Sequence, residues 1–219
     1  SYEKCVLAVM ARAPVPGRAK TRLAARIGRI RAARLYEGFI LDTLALVTRL
    51  GVPARIFTTG GALRGLRRGA PPGTRWAGQG PGDLGVRMRR AFSACFRGGT
   101  RRVVMLGTDS PGLPPRLVRA AFRGLRQADA VVGPALDGGY YLIGMSRPLP
   151  ELLRGMPWGR PTLLGATARQ ARRLGIRLGV LPLWFDVDEP ADLELLEALD
   201  ALGRLRPRPR ETLRRLREP

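Results

Sequence analysis

Apolar residues fall along this chain in two rhythms. Short runs dense in aliphatic residues recur at 4–10, 54–59, 102–106, 130–133, 140–145 and 178–183, each of strand length. Between them lie longer stretches at 21–50, 82–96, 115–127, 162–174 and 190–202, where apolar positions return every three or four residues, as on one face of a helix. Such alternation predicts one α/β domain with a mostly parallel central sheet and helices on both faces. Ligands of these sheets gather at the carboxyl ends of the strands, so the loops after Met10, Leu106, Gly133 and Leu183 are the ones to inspect. No internal repeat is visible. The pattern changes after 202: from Gly203 to Pro219 there are seven arginines and three prolines with little to bury. This predicts a domain over 1–202 and a solvated Arg/Pro-rich extension over 203–219, with a short helix from Glu211 to Arg217.

Composition narrows the chemistry. The 219 residues, 45% hydrophobic and 26% charged, are enough for a full core. There is no histidine, which excludes imidazole bases, Ser-His-Asp triads and histidine metal sites. Cys5 and Cys95 sit in apolar runs and read as buried thiols, not as a zinc site or a disulfide framework. No apolar run approaches the roughly 18 residues of a membrane span, since Asp42 interrupts the nearest, Phe39 to Val47. With no secretory pattern at its start, the chain is expected to be cytoplasmic. Net charge is +22, and only Lys4 and Lys20 of 39 basic residues are lysines. The arginines are spread over several helical stretches and aromatics are only 6%, so no specific nucleic-acid partner is expected. A non-catalytic polyanion-binding protein is the alternative that this charge keeps open.

Three loops carry candidate chemistry. Arg12 to Arg22 follows the first strand and sets Arg12, Arg18, Lys20 and Arg22 around a Pro/Gly turn at Gly17, a natural cradle for phosphate without Walker A spacing. Acids are scarce and therefore informative. Asp109 follows a buried strand in Gly107-Thr108-Asp109-Ser110-Pro111, where an α/β enzyme holds Mg²⁺ or Mn²⁺ against a diphosphate; a turn or helix cap is the competing reading. Asp137 precedes Gly138, Gly139 and Tyr140, suited to close approach of a ligand or to a plain hairpin turn. Asp186 and Asp188 alternate on an extended stretch and share a face, and Asp192 in the next helix has a capping role.

Taken together these segments resemble a bacterial glycosyltransferase-A-like family, DUF2064, of the arsenosugar-biosynthesis glycosyltransferase type. The resemblance runs through Val9–Leu23, Gln79 with Asp83–Met88, Gly107–Leu113, Asp137–Gly144 and Trp184–Asp188, in family order over about residues 5 to 200. It implies a nucleotide-diphospho-sugar transferase fold, a nucleotide donor and a divalent metal. Arg12, Gly17, Arg18, Lys20 and Arg22 would then hold phosphates, and Gln79 and Asp83 would lie near base or ribose. Asp109 with Asp188 or Asp186 would hold Mg²⁺ or Mn²⁺, and Gly138, Gly139, Tyr140 and Trp158 would face a small-molecule acceptor. Asp137, with Lys20 beside the phosphates, is the expected catalytic group, since an acceptor hydroxyl needs a carboxylate base where no histidine exists. Glu189 departs from the family where a small hydroxyl residue would cap the last helix, and Gly159 departs where serine is usual. The expected activity is glycosyl transfer from a nucleotide-diphospho-sugar. Nucleotidyl transfer from a nucleoside triphosphate, as in the phospholactate guanylyltransferase group that the opening loop also resembles, is the alternative.

Overall fold

The first strand, β1 (Cys5–Arg12), shows why the sheet is covered on both sides. In the computed structural model, which describes residues 4–61, 63 and 65–218, Cys5, Leu7, Val9 and Ala11 enter one core while Val6, Ala8 and Met10 pack against the other. Apolar residues at both phases of the pleat leave no face for water, which is the signature of a central parallel strand. Six further strands are β2 (Ala54–Thr59), β3 (Arg75–Gly78), β4 (Arg102–Leu106), β5 (Ala130–Pro134), β6 (Tyr140–Met145) and β7 (Leu178–Val180). They form one sheet in the order β3-β2-β1-β4-β6-β5-β7. Every pairing is parallel except those of β6, which runs against both β4 and β5. The amino end of β6 therefore opens at the same edge as the carboxyl ends of its neighbours.

Helices α1 (Thr21–Ile27), α2 (Arg29–Leu50), α3 (Leu84–Phe96), α4 (Pro115–Gly124), α5 (Leu163–Arg173), α6 (Pro190–Ala201) and α7 (Arg210–Arg217) complete the chain. Phe39, Ile40 and Val47 of α2 with Leu117, Val118 and Phe122 of α4 cover one face, and Met88, Phe92 and Cys95 of α3 with Ala171 of α5 cover the other. The helical stretch expected over 21–50 is broken at Gly28, whose φ of 84° ends α1 and starts α2. Among the described residues, no helix is long and apolar enough to cross a membrane. Both cysteines are buried.

Two elements depart from the sequence reading. β3 was not expected: it has four residues at the sheet edge, with only Trp76 half-buried, so it carries no alternation to read. The segment expected as a solvated extension is not one over its described residues, 203–218. Leu205 and Leu213 are buried, and α7 lies against α2. Asp42, within the apolar stretch of α2, accepts hydrogen bonds from the backbone N–H of Glu211 (3.1 Å) and Thr212 (2.8 Å). These cap two of the amides that begin α7. Burial still raises the Asp42 pKa, against the lowering effect of those bonds. Gly38 permits the contact, since a Cβ there would lie 2.9 Å from the Glu211 carbonyl oxygen.

Candidate functional site

Strand order reverses at β1, which β2 flanks on one side and β4 on the other, and a crevice opens at the carboxyl ends of such strands. Here it is a cleft of about 1060 Å³, floored by Met10, Met105 and Leu106 and reaching from Gln79 and Arg87 on one side to Tyr140 and Trp158 on the other.

Lys20 stands at its centre. Its backbone is left-handed (φ 49°, ψ 50°), a conformation that costs a non-glycine residue about 1–2 kcal/mol. Its side chain is only 4% exposed. The ammonium lies 2.5 Å from Asp109 Oδ1 and 2.7 Å from Asp188 Oδ1, and donates to the Val187 carbonyl at 2.7 Å. The rings of Tyr36 and Phe39 pack beneath it, at 5.7 and 5.2 Å from Nζ. Burial pulls the Lys20 pKa down, but the charges of Asp109 and Asp188 outweigh it and hold the amine firmly protonated.

Each carboxylate is fixed from behind. Asp109 follows β4 and Gly107, and its carbonyl accepts from the Val187 N–H (2.8 Å), which ties the two acidic loops together. Thr108 is buried, with its hydroxyl 2.7 Å from that of Tyr36, and Tyr36 also accepts the Arg12 N–H at 3.3 Å. Burial, with the Asp109 charge, pushes the Tyr36 phenol up to about 12, so it stays a hydroxyl. Asp188 is held through its own N–H, which donates to Asp192 Oδ2 (2.9 Å); the same oxygen accepts from Glu189 N–H (2.7 Å) at the start of α6. Asp192 thus serves the capping role expected of it, in a capping box with Glu189, which also pairs with Arg22 at 3.3 Å. Asp186 differs from its neighbours: it is bonded to the Ser110 hydroxyl, and burial with the nearby Asp109 charge raises its pKa to about 7.

The remaining residues singled out in the sequence take varied places. Arg12 and Arg18 line the cleft, with the Arg12 guanidinium donating to the Arg18 carbonyl (3.0 Å), while Gly17, at φ 76°, lines a smaller concavity beside the loop. Gln79 is buried, and its amide donates to the carbonyls of Ala11 (3.1 Å) and Phe57 (3.0 Å), lacing β1 to β2. Its amide oxygen meets Arg87 (3.3 Å), and both residues line the cleft. Asp83 lies outside the lining and caps α3 by accepting from Val86 N–H (2.8 Å). Asp137 lines the cleft, and its Oδ1 accepts from Gly139 N–H (2.8 Å) in an Asx-turn. Gly138, at φ 84°, sits behind the lining, where a Cβ would come within 2.2 Å of the Pro161 carbonyl oxygen. Tyr140 and Trp158 meet edge to face at 6.3 Å. Tyr36, Ser110 and Arg87 are site residues that sequence reading missed. Ser110 and Arg87 lie within the Gly107–Leu113 and Asp83–Met88 segments singled out above, and Tyr36 is a phenol among the aliphatic positions of the α2 stripe.

Among the described residues no three carboxylates or thiols converge to hold a metal by protein ligands alone. Asp109 and Asp188 nevertheless fit one: they are 43% and 41% exposed, and a cation, the Lys20 ammonium, already stands between them. A hard divalent ion binds through one or two carboxylates and completes its shell with phosphate oxygens and water. Asp186, turned to Ser110, does not join the pair.

Sheet order and cleft define a Rossmann-like domain of the glycosyltransferase-A type. The chain belongs to the DUF2064 family, described as an uncharacterized protein conserved in bacteria, which it matches over residues 43–160. A Desulfovibrio desulfuricans G20 protein, described provisionally as a nucleotide-diphospho-sugar transferase, is 35% identical over 85% of this chain and 83% of its own, with a TM-score of 0.78. A CMP:2-keto-3-deoxy-manno-octonic acid synthetase solved with CTP has the same fold at 14% identity (91% and 99% covered, TM-score 0.55). So has a Mycobacterium tuberculosis H37Rv protein solved with manganese, at 15% identity (92% and 98% covered, TM-score 0.53). No curated protein matches the chain.

Proposed function

We propose that this protein is a metal-dependent transferase that uses a nucleotide-activated donor and moves a sugar from a nucleotide-diphospho-sugar to a small-molecule acceptor. The observation that carries the reading is the Asp109–Lys20–Asp188 cluster at the strand-order reversal, within a cleft large enough for a nucleotide. The 35% identical relative supports sugar transfer within that class. Arg12, Arg18 and Arg22, at the mouth of the cleft, supply positive charge for the phosphates. Arg87, steadied by Gln79, faces the side where the base would lie. Asp109 and Asp188 are the carboxylates for Mg²⁺ or Mn²⁺; bound there, the ion would offset the negative charge that develops on the departing diphosphate. Asp137 lines the far side near Tyr140 and Trp158, with one oxygen engaged by Gly139 N–H and the other open to an acceptor hydroxyl as base or positioning group.

A thermal-shift panel tests the reading, with nucleoside diphosphates, triphosphates and sugar nucleotides, each with and without Mn²⁺ or Mg²⁺. A ligand that binds only the folded state raises the melting temperature. The expected result is a metal-dependent shift confined to one base and larger for the sugar nucleotide, abolished in Asp109→Ala. Turnover would then release nucleoside diphosphate; pyrophosphate released from a triphosphate would make the protein a nucleotidyltransferase instead. Equal, metal-independent shifts with every polyanion would overturn both.

A further inference from the structure

The Lys20 ammonium has three N–H donors, and Asp109, Asp188 and the Val187 carbonyl take all three. None is left for a phosphate. Two carboxylates against one ammonium also leave the cluster one charge negative, so a bare diphosphate meets repulsion at the centre of its own cleft. Both obstacles vanish together if a divalent cation takes over the carboxylates. The cluster then becomes positive, and the lysine regains its donors while remaining beside the phosphates.

We propose that Lys20 is a resident cation which a divalent metal displaces from Asp109 and Asp188, so that metal and nucleotide bind as a coupled pair and each is held weakly without the other. This rests on the nucleotide-transferase reading of the same cleft. Two features of the site favour the exchange. The carboxylates are more than two-fifths exposed, whereas the lysine is buried over the Tyr36 and Phe39 rings, which attract a cation without hydrogen bonds. The coupling is reciprocal: whatever factor the metal adds to nucleotide affinity, the nucleotide adds to metal affinity.

The composition offers a direct test, since Lys4 and Lys20 are the only lysines. Isotope-labelled lysine gives two ammonium signals by NMR, and the buried one is recognised by slow proton exchange. Mg²⁺ with a nucleoside diphosphate is expected to move the Lys20 signal saturably, and the nucleotide without Mg²⁺ to leave it in place. A Lys20 signal that stays put while the same mixture raises the melting temperature would overturn the displacement. A second measurement uses Mn²⁺ alone, titrated by its paramagnetic resonance signal. Lys20→Met frees both carboxylates and is expected to bind Mn²⁺ about tenfold tighter than the natural protein, or more, whereas Lys20→Arg is not. Equal or weaker binding by a folded Lys20→Met would also sink the proposal. If Lys20→Met gains Mn²⁺ affinity and no nucleotide binds under any condition, the transferase reading falls and the resident cation stands. If nucleotide binds and Lys20 does not move, the reverse holds.

Discussion

The Tyr36 hydroxyl serves two segments at once, accepting the N–H of Arg12 at the end of β1 and bonding Thr108 beside Asp109. Tyr36→Phe keeps the ring under Lys20 but strands both partners, and a buried polar group left unpaired costs about 1–3 kcal/mol. Denaturant unfolding is expected to show a loss in that range, with a smaller metal-dependent nucleotide shift beside it. A Phe variant as stable as the natural protein would show that water replaces the hydroxyl. At this scale the acids were legible in the sequence, because Asp109, Asp186 and Asp188 stand out in so basic a chain. Their separate fates were not. Asp186 turns to Ser110, Asp188 turns to Lys20, and that division depends on loops far apart in sequence. Gln79 lines the cleft, yet its amide donates to main-chain carbonyls of Ala11 and Phe57, bonds that no motif displays.

Between elements, the docking of α7 on α2 makes two predictions. Gly38→Ala should gain up to about 1 kcal/mol of helix propensity. Instead its methyl would fall 2.9 Å from both the Glu211 carbonyl oxygen and the Thr212 Cα, backbone atoms that cannot swing aside. Overpacking of about 1–3 kcal/mol therefore wins, and hydrogen exchange is expected to quicken across Arg210–Arg217 before the sheet loosens. The second concerns pH. Asp42 has its pKa raised by burial above the ordinary 3.8, so the folded state binds its proton more tightly than the unfolded chain. The resulting stability is fully present below pH about 4 and is lost as the pH rises through the raised value. The stability of the natural protein relative to Asp42→Asn is thus expected to fall as the pH rises above about 4. A flat difference would mean that the two amide bonds cancel the burial. The sequence hid this docking because Arg and Pro dominate 203–219, and the few residues buried there, Leu205, Pro209, Thr212 and Leu213, become meaningful only once the segment is docked. The five strands of the sheet interior were legible because aliphatic runs buried on both faces look like little else, and the β7 edge through its aliphatic run alone, since Val180 is exposed. β3 was not, because an edge strand of four residues has no such constraint.

For the molecule as a whole, a charge of +22 is a repulsive load on the folded state. Chloride screens it over about 10 Å at 0.1 M, so the melting temperature is expected to rise with sodium chloride up to a few tenths molar. A temperature that falls with salt would mean that the ion pairs outweigh the repulsion.

The reversed strand also divides the cleft. One half, where the proposed donor would lie, is built from the carboxyl ends of β1, β2 and β4, and the other from the loop that enters β6 together with the Trp158–Pro161 turn. Those two loops touch where Gly138 meets the Pro161 carbonyl, too closely for any side chain at 138, and the Leu164 N–H donates to the Gly138 carbonyl. Neither can be recut alone. A graft meant to change what the cleft accepts would have to carry both loops as one cassette, and it would leave the residues around Lys20 untouched.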